Sequence, residues 1–338
     1  MLNRRSFLHI SSVAISGLAM SNWARAQKVT LGRWAALADM PHAVQEIYPA
    51  MLAGHIHVAG GFATTESGVA PTDRHFQYNI AANRWRQLAS LPAVRHHPQL
   101  IVCQGVLYAL GGFGVGDSGQ WIMQNQSWKY NAEKDSWQEV VAAPEVHAES
   151  VAAVFDSAIH IVGGRTPSSA RNAAWLDHSD SNRHLVFDIG SQKWSQAAPA
   201  LRARNSAAGA NINGQFYVVG GRTVRGGNIA DLEIYDPKED RWRLATPLPQ
   251  AQGGLAAAAL DGQLIVFGGE FFGADSHGVH GDTWCYSPER DQWVAMAPMK
   301  TPRHGLGAVS DANAVYAVGG ATEVATRGTS AALEKFKF

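Results

Sequence analysis

Cysteine is nearly missing: the 338 residues hold only Cys103 and Cys285. Two thiols cannot staple a small domain, so stability must come from a buried core, which a chain of this length can build. An excess of charge is missing too, with 28 Lys and Arg against 28 Asp and Glu. That balance argues against nucleic acid or an anionic membrane surface as the main partner. There is no charged tail and no low-complexity tract. The apolar stretch from Ile10 to Met20 is too short to span a bilayer as a permanent helix. What the chain has in quantity is glycine, 34 residues, with 11 tryptophans and 46% hydrophobic residues.

The first residues read as a processing segment. Asn3-Arg4-Arg5-Ser6-Phe7-Leu8 resembles a twin-arginine export signal, and Ala24-Arg25-Ala26 a cleavage site before Gln27. Residues 1–26 are therefore expected to be a signal peptide and 28–338 a single domain, folded before export to a bacterial periplasm or beyond. Loss of Arg4, Arg5 and Arg25 leaves 25 of the 28 basic side chains, so the mature chain stays nearly neutral and needs no membrane.

The organising unit is clearest from Trp242 to Gly269. A break at Pro247 and Pro249 is followed by the apolar run Leu255 to Leu260. An Asp261-Gly262 turn, a second apolar run from Gln263 to Phe267 and the pair Gly268-Gly269 complete it. Two apolar runs about an Asp-Gly dipeptide signal a β-hairpin, because both turn residues must take φ > 0. The unit recurs. Glycine pairs stand at 60–61, 111–112, 163–164, 220–221, 268–269 and 319–320, each with a tryptophan 26 residues before its first glycine: Trp34, Trp85, Trp137, Trp194, Trp242 and Trp293. Seven residues before five of those tryptophans stands another aromatic: Tyr78, Tyr130, Phe187, Tyr235 and Tyr286.

The 48- to 57-residue period and this skeleton resemble the kelch-repeat family over essentially the whole chain after its first thirty residues. The resemblance implies an all-β, six-bladed propeller of four-stranded antiparallel blades, since such a sheet cannot bury both faces alone. Trp34 has no aromatic strand before it and Phe336 has no tryptophan after it. The N-terminal strand around Arg33 to Ala36 is thus expected to complete the C-terminal blade, leaving no free edge. Cys103 and Cys285 would fall in different blades as small buried hydrophobes.

Function must come from the loops at one mouth of the ring. Ten residues after each tryptophan stand Val44, Arg95, His147, Arg204, Gln252 and Arg303; eleven after, Gln45, His96, Ala148, Asn205, Gly253 and His304; twelve after, Glu46, His97, Glu149, Ser206, Gly254 and Gly305. Equal offsets imply equal height. Arg95, His96, His147, Arg204, Arg303 and His304 are then candidates for an electropositive well that binds a carboxylate or another anion. The alternative is that Pro-x-Arg holds neighbouring loops. Loops 165–184 and 270–282 would wall the well, with Trp175, Phe271 and Phe272 as stacking surface.

Glu270, directly after a glycine pair, and Glu149 are the candidate proton-transfer groups. Here a narrower resemblance enters, to the N-acetylneuraminate mutarotases, exported six-bladed kelch proteins. It implies Glu270 as base and Arg95, Arg204 and Arg303 as holders of a sugar carboxylate, although no extended motif beyond the repeat skeleton is shared. Two functions stay open: an acidic-sugar mutarotase or epimerase, and a noncatalytic periplasmic scaffold for a glycan or protein partner. A monomer is expected in either case. Asp275, His277 and His280, or Asp177, His178 and Asp180, offer metal-ligand types without a metal motif, so no metal is assigned. The galactose-oxidase-like family shares the propeller, but its copper chemistry needs a Cys near the axis that Cys103 and Cys285 do not supply, and no cofactor is assigned.

Overall fold

The computed structural model describes residues 31–338 apart from Ser67, Ala274 and Asp275, so the export-signal segment lies outside the described residues. Strands dominate, and the only helical turn described is the short 3₁₀ element Trp175–Asp177.

Six four-stranded antiparallel sheets recur along the described chain. The fourth shows the pattern: Ala208–Ile212, Gln215–Val219, Leu232–Asp236 and Arg241–Ala245, hydrogen-bonded in that order. The last sheet takes three strands from the C-terminal part, Gly307–Ser310, Val315–Val318 and Leu333–Lys337. Its fourth is Arg33–Ala36, which places Trp34 opposite Phe336. The first strands of consecutive sheets touch in chain order, and the first strand of the last sheet touches Ala50–Leu52 of the first. They surround a chamber of about 380 Å³ walled largely by alanines such as Ala153, Ala208, Ala257 and Ala258.

The recurring tryptophan has a physical task. Each indole N–H donates to a backbone carbonyl of the preceding sheet's outgoing loop: Trp85 to Ala38, Trp137 to Ala89, Trp194 to Val141, Trp242 to Ala198, Trp293 to Thr246 and Trp34 to Ala297, at 2.8 to 3.2 Å. The third-strand tyrosines make a parallel set. Tyr130, Tyr235 and Tyr286 donate to Asp135, Asp240 and Asp291, carboxylates that also accept the amides of Ala89, Ala198 and Thr246. These aspartates sit at φ of 45 to 50°, the left-handed turn conformation that Asp tolerates better than most residues. Aromatic packing and loop docking are thus fixed by the same two positions of each repeat.

The glycine pairs join neighbouring sheets. The second glycine donates its N–H to the residue ten places after the next tryptophan: Gly61 to Arg95, Gly112 to His147, Gly164 to Arg204, Gly221 to Gln252, Gly269 to Arg303 and Gly320 to Val44, at 2.7 to 3.0 Å. At Gly268 a Cβ would stand 2.4 Å from the Arg303 carbonyl oxygen, at a φ of +69°. No side chain fits there.

Candidate functional site

The residue after each glycine pair bridges to the residue eleven places after a tryptophan: Phe62 to Gln45, Phe113 to His96, Arg165 to Ala148, Arg222 to Asn205, Glu270 to Gly253 and Ala321 to His304. Five of these six side chains, Phe62, Phe113, Arg165, Arg222 and Glu270, line one cavity of about 780 Å³. Two-stranded ribbons start from the same points, Phe113–Val115 with Trp121–Met123, Arg165–Pro167 with His178–Asp180, and Glu270–Phe272 with His277–Val279. They carry Trp121, Trp175 and Phe272 to its rim, all exposed.

The floor comes from the next offset. Glu46, His97, Glu149, Ser206, Gly254 and Gly305 all adopt left-handed backbone, with φ between 50 and 65°. Their amides pass from sheet to sheet: His97 to Glu46, Ser206 to Glu149, Gly254 to Ser206, Gly305 to Gly254 and Glu46 to Gly305. Four of the six carry side chains, in a conformation that costs roughly 1–3 kcal/mol each outside glycine and tends to gather at functional sites. Gly305 is small for a reason, since a Cβ there would stand 2.7 Å from Glu46 Oε1.

Three acids meet here, Glu149 and Glu270 buried and Glu46 partly so. Glu149 Oε1 accepts from Arg165 Nη1 at 2.6 Å and its Oε2 from Ser206 Oγ at 2.5 Å. Burial would raise its pKa, but the charge of Arg165, then those of His97 and Arg222, hold it low. Glu46 Oε2 lies 2.6 Å from His97 Nε2. Burial works against its charge as well, yet His97, His304 and Arg222 bring it down to about 2. Glu270 Oε1 pairs with Arg222 Nη1, its Oε2 accepts the amide of Ala325 at 3.0 Å, and His304 Nδ1 stands 3.6 Å from that same oxygen. Burial lowers the Arg222 guanidinium, but Glu149, Glu270 and Glu46 together raise it.

Both cations line the cavity, Arg165 buried and Arg222 partly exposed. Arg165 also donates to His178 Nδ1 at 2.5 Å, and its guanidinium lies 3.9 Å from the Trp175 ring centre, with that of Arg222 at 5.5 Å. Stacking on an aromatic face suits guanidinium. Nε of both arginines has no hydrogen-bond partner among the described residues.

Glu149, Glu270 and His96 line the cavity, as do Trp175, Phe271 and Phe272. His304 stands behind Glu270 and Glu46, with Nε2 donating to the Glu323 carbonyl at 2.8 Å. The four others are elsewhere, which corrects their expected convergence. Arg204 donates to the carbonyls of Gly220 and Asp231 and pairs with the fully buried Glu233. Arg303 does the same with Gly319, Ala332 and Glu334. Arg95 bonds Gln126 and the Val94 carbonyl and stacks 4.8 Å from the Trp128 ring, while His147 packs beneath Gly111. Their carbonyls are held by the glycine pairs, and their side chains run into the sheet interfaces. Arg165 and Arg222 went unnoticed in the sequence, though they share Glu270's offset from a glycine pair. Asp275 lies outside the described residues, and among those described no three His, Cys, Asp or Glu side chains cluster as metal ligands. Cys103 and Cys285 are buried free thiols.

A KLHDC2/KLHL20/DRC7 Kelch-repeats domain matches residues 149–331. The chain belongs to the kelch-repeat family. Among curated relatives, this kelch chain is 27% identical over 207 residues to Kelch-like protein terF of Aspergillus terreus, covering 59% of the chain and 44% of that protein. It is 28% identical to Beta-scruin of Limulus polyphemus, over 55% of the chain and 20% of that protein. It is 30% identical to human Kelch repeat and BTB domain-containing protein 8, over 48% and 26%. The chain thus spans less than half the length of these relatives. The solved structure of YjhT matches with a TM-score of 0.75 at 18% identity, covering 88% of this chain and 96% of that one, a likeness of fold. This kelch protein is therefore all-β with a propeller-like architecture. Among its described residues no helix is long and apolar enough to cross a membrane.

Proposed function

We infer that the chain is an exported six-bladed propeller, closed by its N-terminal strand, whose cavity binds a small acidic sugar and interconverts its anomers. The observation that carries this reading is the convergence of Arg165, Arg222, the buried carboxylates of Glu149 and Glu270 and the partly buried one of Glu46 on one aromatic-walled cavity of about 780 Å³. A guanidinium grips a carboxylate, aromatic faces take the apolar side of a sugar ring, and a carboxylate takes the proton of the anomeric hydroxyl. As that proton leaves, the ring C–O bond breaks to a carbonyl and the ring oxygen is protonated. Closure on the other face returns both protons and gives the other anomer.

Glu270 suits the base better than Glu149. Both Glu149 oxygens are taken, by Arg165 and Ser206, whereas Glu270 Oε2 is held by one backbone amide and faces an imidazole nitrogen that has no hydrogen bond of its own. Arg222, with Nε free, is the assigned partner of the sugar carboxylate in place of Arg95, Arg204 and Arg303. Proton NMR of anomer exchange for sialic acid and uronic acids tests the reading. Wild type should accelerate exchange, and Glu270→Gln should be slower by about a hundredfold. No acceleration for any acidic sugar, with saturable binding of a glycan or partner protein, would establish the noncatalytic scaffold instead.

A further inference from the structure

Deepening the anomer-exchange reading, on which this rests, the geometry points to a second proton-transfer group in the cavity: His96, supplied from His97, which the Glu46 carboxylate holds. Three side chains form an unbroken chain. Glu46 Oε2 is 2.6 Å from His97 Nε2, and His97 Nδ1 is 2.8 Å from His96 Nδ1. His96 Nε2 is the open end, buried and without a hydrogen-bond partner among the described residues. An orphaned buried nitrogen is costly, and a ligand oxygen would satisfy it.

The surroundings fix the polarity of the chain. His96 is stacked between Phe62 at 4.0 Å and Phe113 at 4.6 Å, with the rim residue Trp121 edge-on at 5.0 Å. Burial among these rings, then the charges of His97, Arg165 and Arg95, keep His96 neutral. In the proposed relay the mobile proton sits on His97, the ring that touches the Glu46 carboxylate. A charged His97 donates from Nε2 to Glu46 and from Nδ1 to His96 Nδ1, which leaves the His96 proton on Nε2, facing the ligand.

The exchange then balances. Glu270 takes the proton of the anomeric hydroxyl as the ring C–O bond breaks. His96 Nε2 gives its proton to the ring oxygen, and the Nδ1 proton of His97 moves to His96 Nδ1. Glu270 ends protonated and His97 neutral, so one positive and one negative charge disappear together and the sugar changes no charge. Ring closure reverses every transfer. His96 is the catalytic group, while His97 and Glu46 act through it as positioning residues.

Long-range proton–nitrogen NMR of the wild-type chain labelled with ¹⁵N-histidine reads the tautomers directly at neutral pH. The expected result is His97 protonated on both nitrogens and His96 on Nε2 alone. A His96 proton on Nδ1 with Nε2 bare would overturn the proposal. In exchange assays His96→Gln should lower kcat about a hundredfold with KM within threefold. Glu46→Gln should lower kcat about tenfold and leave His97 with a single proton in the same spectra. Unchanged kcat in His96→Gln alongside a slow Glu270→Gln would also overturn it, with the sugar reading intact. If wild type accelerates no acidic sugar, the underlying reading fails and the relay falls with it.

Discussion

At the scale of single residues, arginines of one ring do different work from those of another. Arg303 is fully buried, and its guanidinium joins two backbone carbonyls and Glu334 across a turn. Removing it leaves a buried carboxylate unpaired, so Arg303→Met should cost about 3–5 kcal/mol in urea unfolding, partly restored by adding Glu334→Leu. Sugar affinity of the surviving folded fraction should not change; a tenfold loss of affinity with full stability would return Arg303 to the site. Arg222→Met also unpairs a buried carboxylate, Glu270, but differs in its effect on the site: affinity for an acidic sugar of the folded fraction should fall tenfold or more. This contrast was half legible. Glu233 and Glu334 stand inside the strand sequences Leu-Glu-Ile-Tyr and Leu-Glu-Lys-Phe, acids at core-facing positions that need a buried cation. The offset of Arg165 and Arg222 was readable as well. It was obscured because the same position holds Phe, Arg, Glu or Ala from repeat to repeat.

At the scale of strands and loops, the sequence spacing is a record of hydrogen bonds. Tryptophan and glycine pair recur at a fixed distance because each tryptophan docks the preceding sheet's loop and each second glycine binds the next sheet's backbone. The ribbons that wall the cavity have no such constraint, differ in length from repeat to repeat, and were legible only as long loops. Trp34 is the sharpest test of an element. Its ring packs on Phe267 and Phe336 at 5.0 and 5.4 Å, and its N–H reaches both Ala297 and Thr283. Trp34→Ala should cost about 3–5 kcal/mol. Trp194→Ala, whose single 3.2 Å bond is exposed, should cost less. Equal losses in thermal unfolding would show that the N-terminal strand has no special part in joining the two chain ends.

At the scale of the molecule, protons weigh on stability through two histidine pairs that do not line the cavity. His57 with His75, and His160 with His184, are buried and bonded at 2.9 Å. Burial first, and for His57 and His184 the partner's charge next, lower them from 6.5, His57 to about 3 and the other three to about 4. A lowered histidine pKa means that the unfolded chain takes up protons first. The stability these groups confer is thus complete above pH 6.5 and lost as the pH falls toward 4. Melting temperature should drop steeply over that interval. His57→Gln combined with His160→Gln should flatten the drop, and an unchanged slope would assign acid sensitivity to other groups.

The floor of left-handed residues separates the large cavity from the alanine-walled chamber. Between the two lies a void of about 10 Å³ beside Glu46, Tyr48, Ser206 and Gly305, room for no more than a single water. Toward the chamber, then, the cavity has no passage wide enough for a sugar. On the proposed reading, a bound sugar would therefore leave by the mouth through which it entered, head first in and tail first out. Free sugars and chain termini would suit such a recess better than the interior of a polysaccharide, and unreacted and converted molecules would share the same opening.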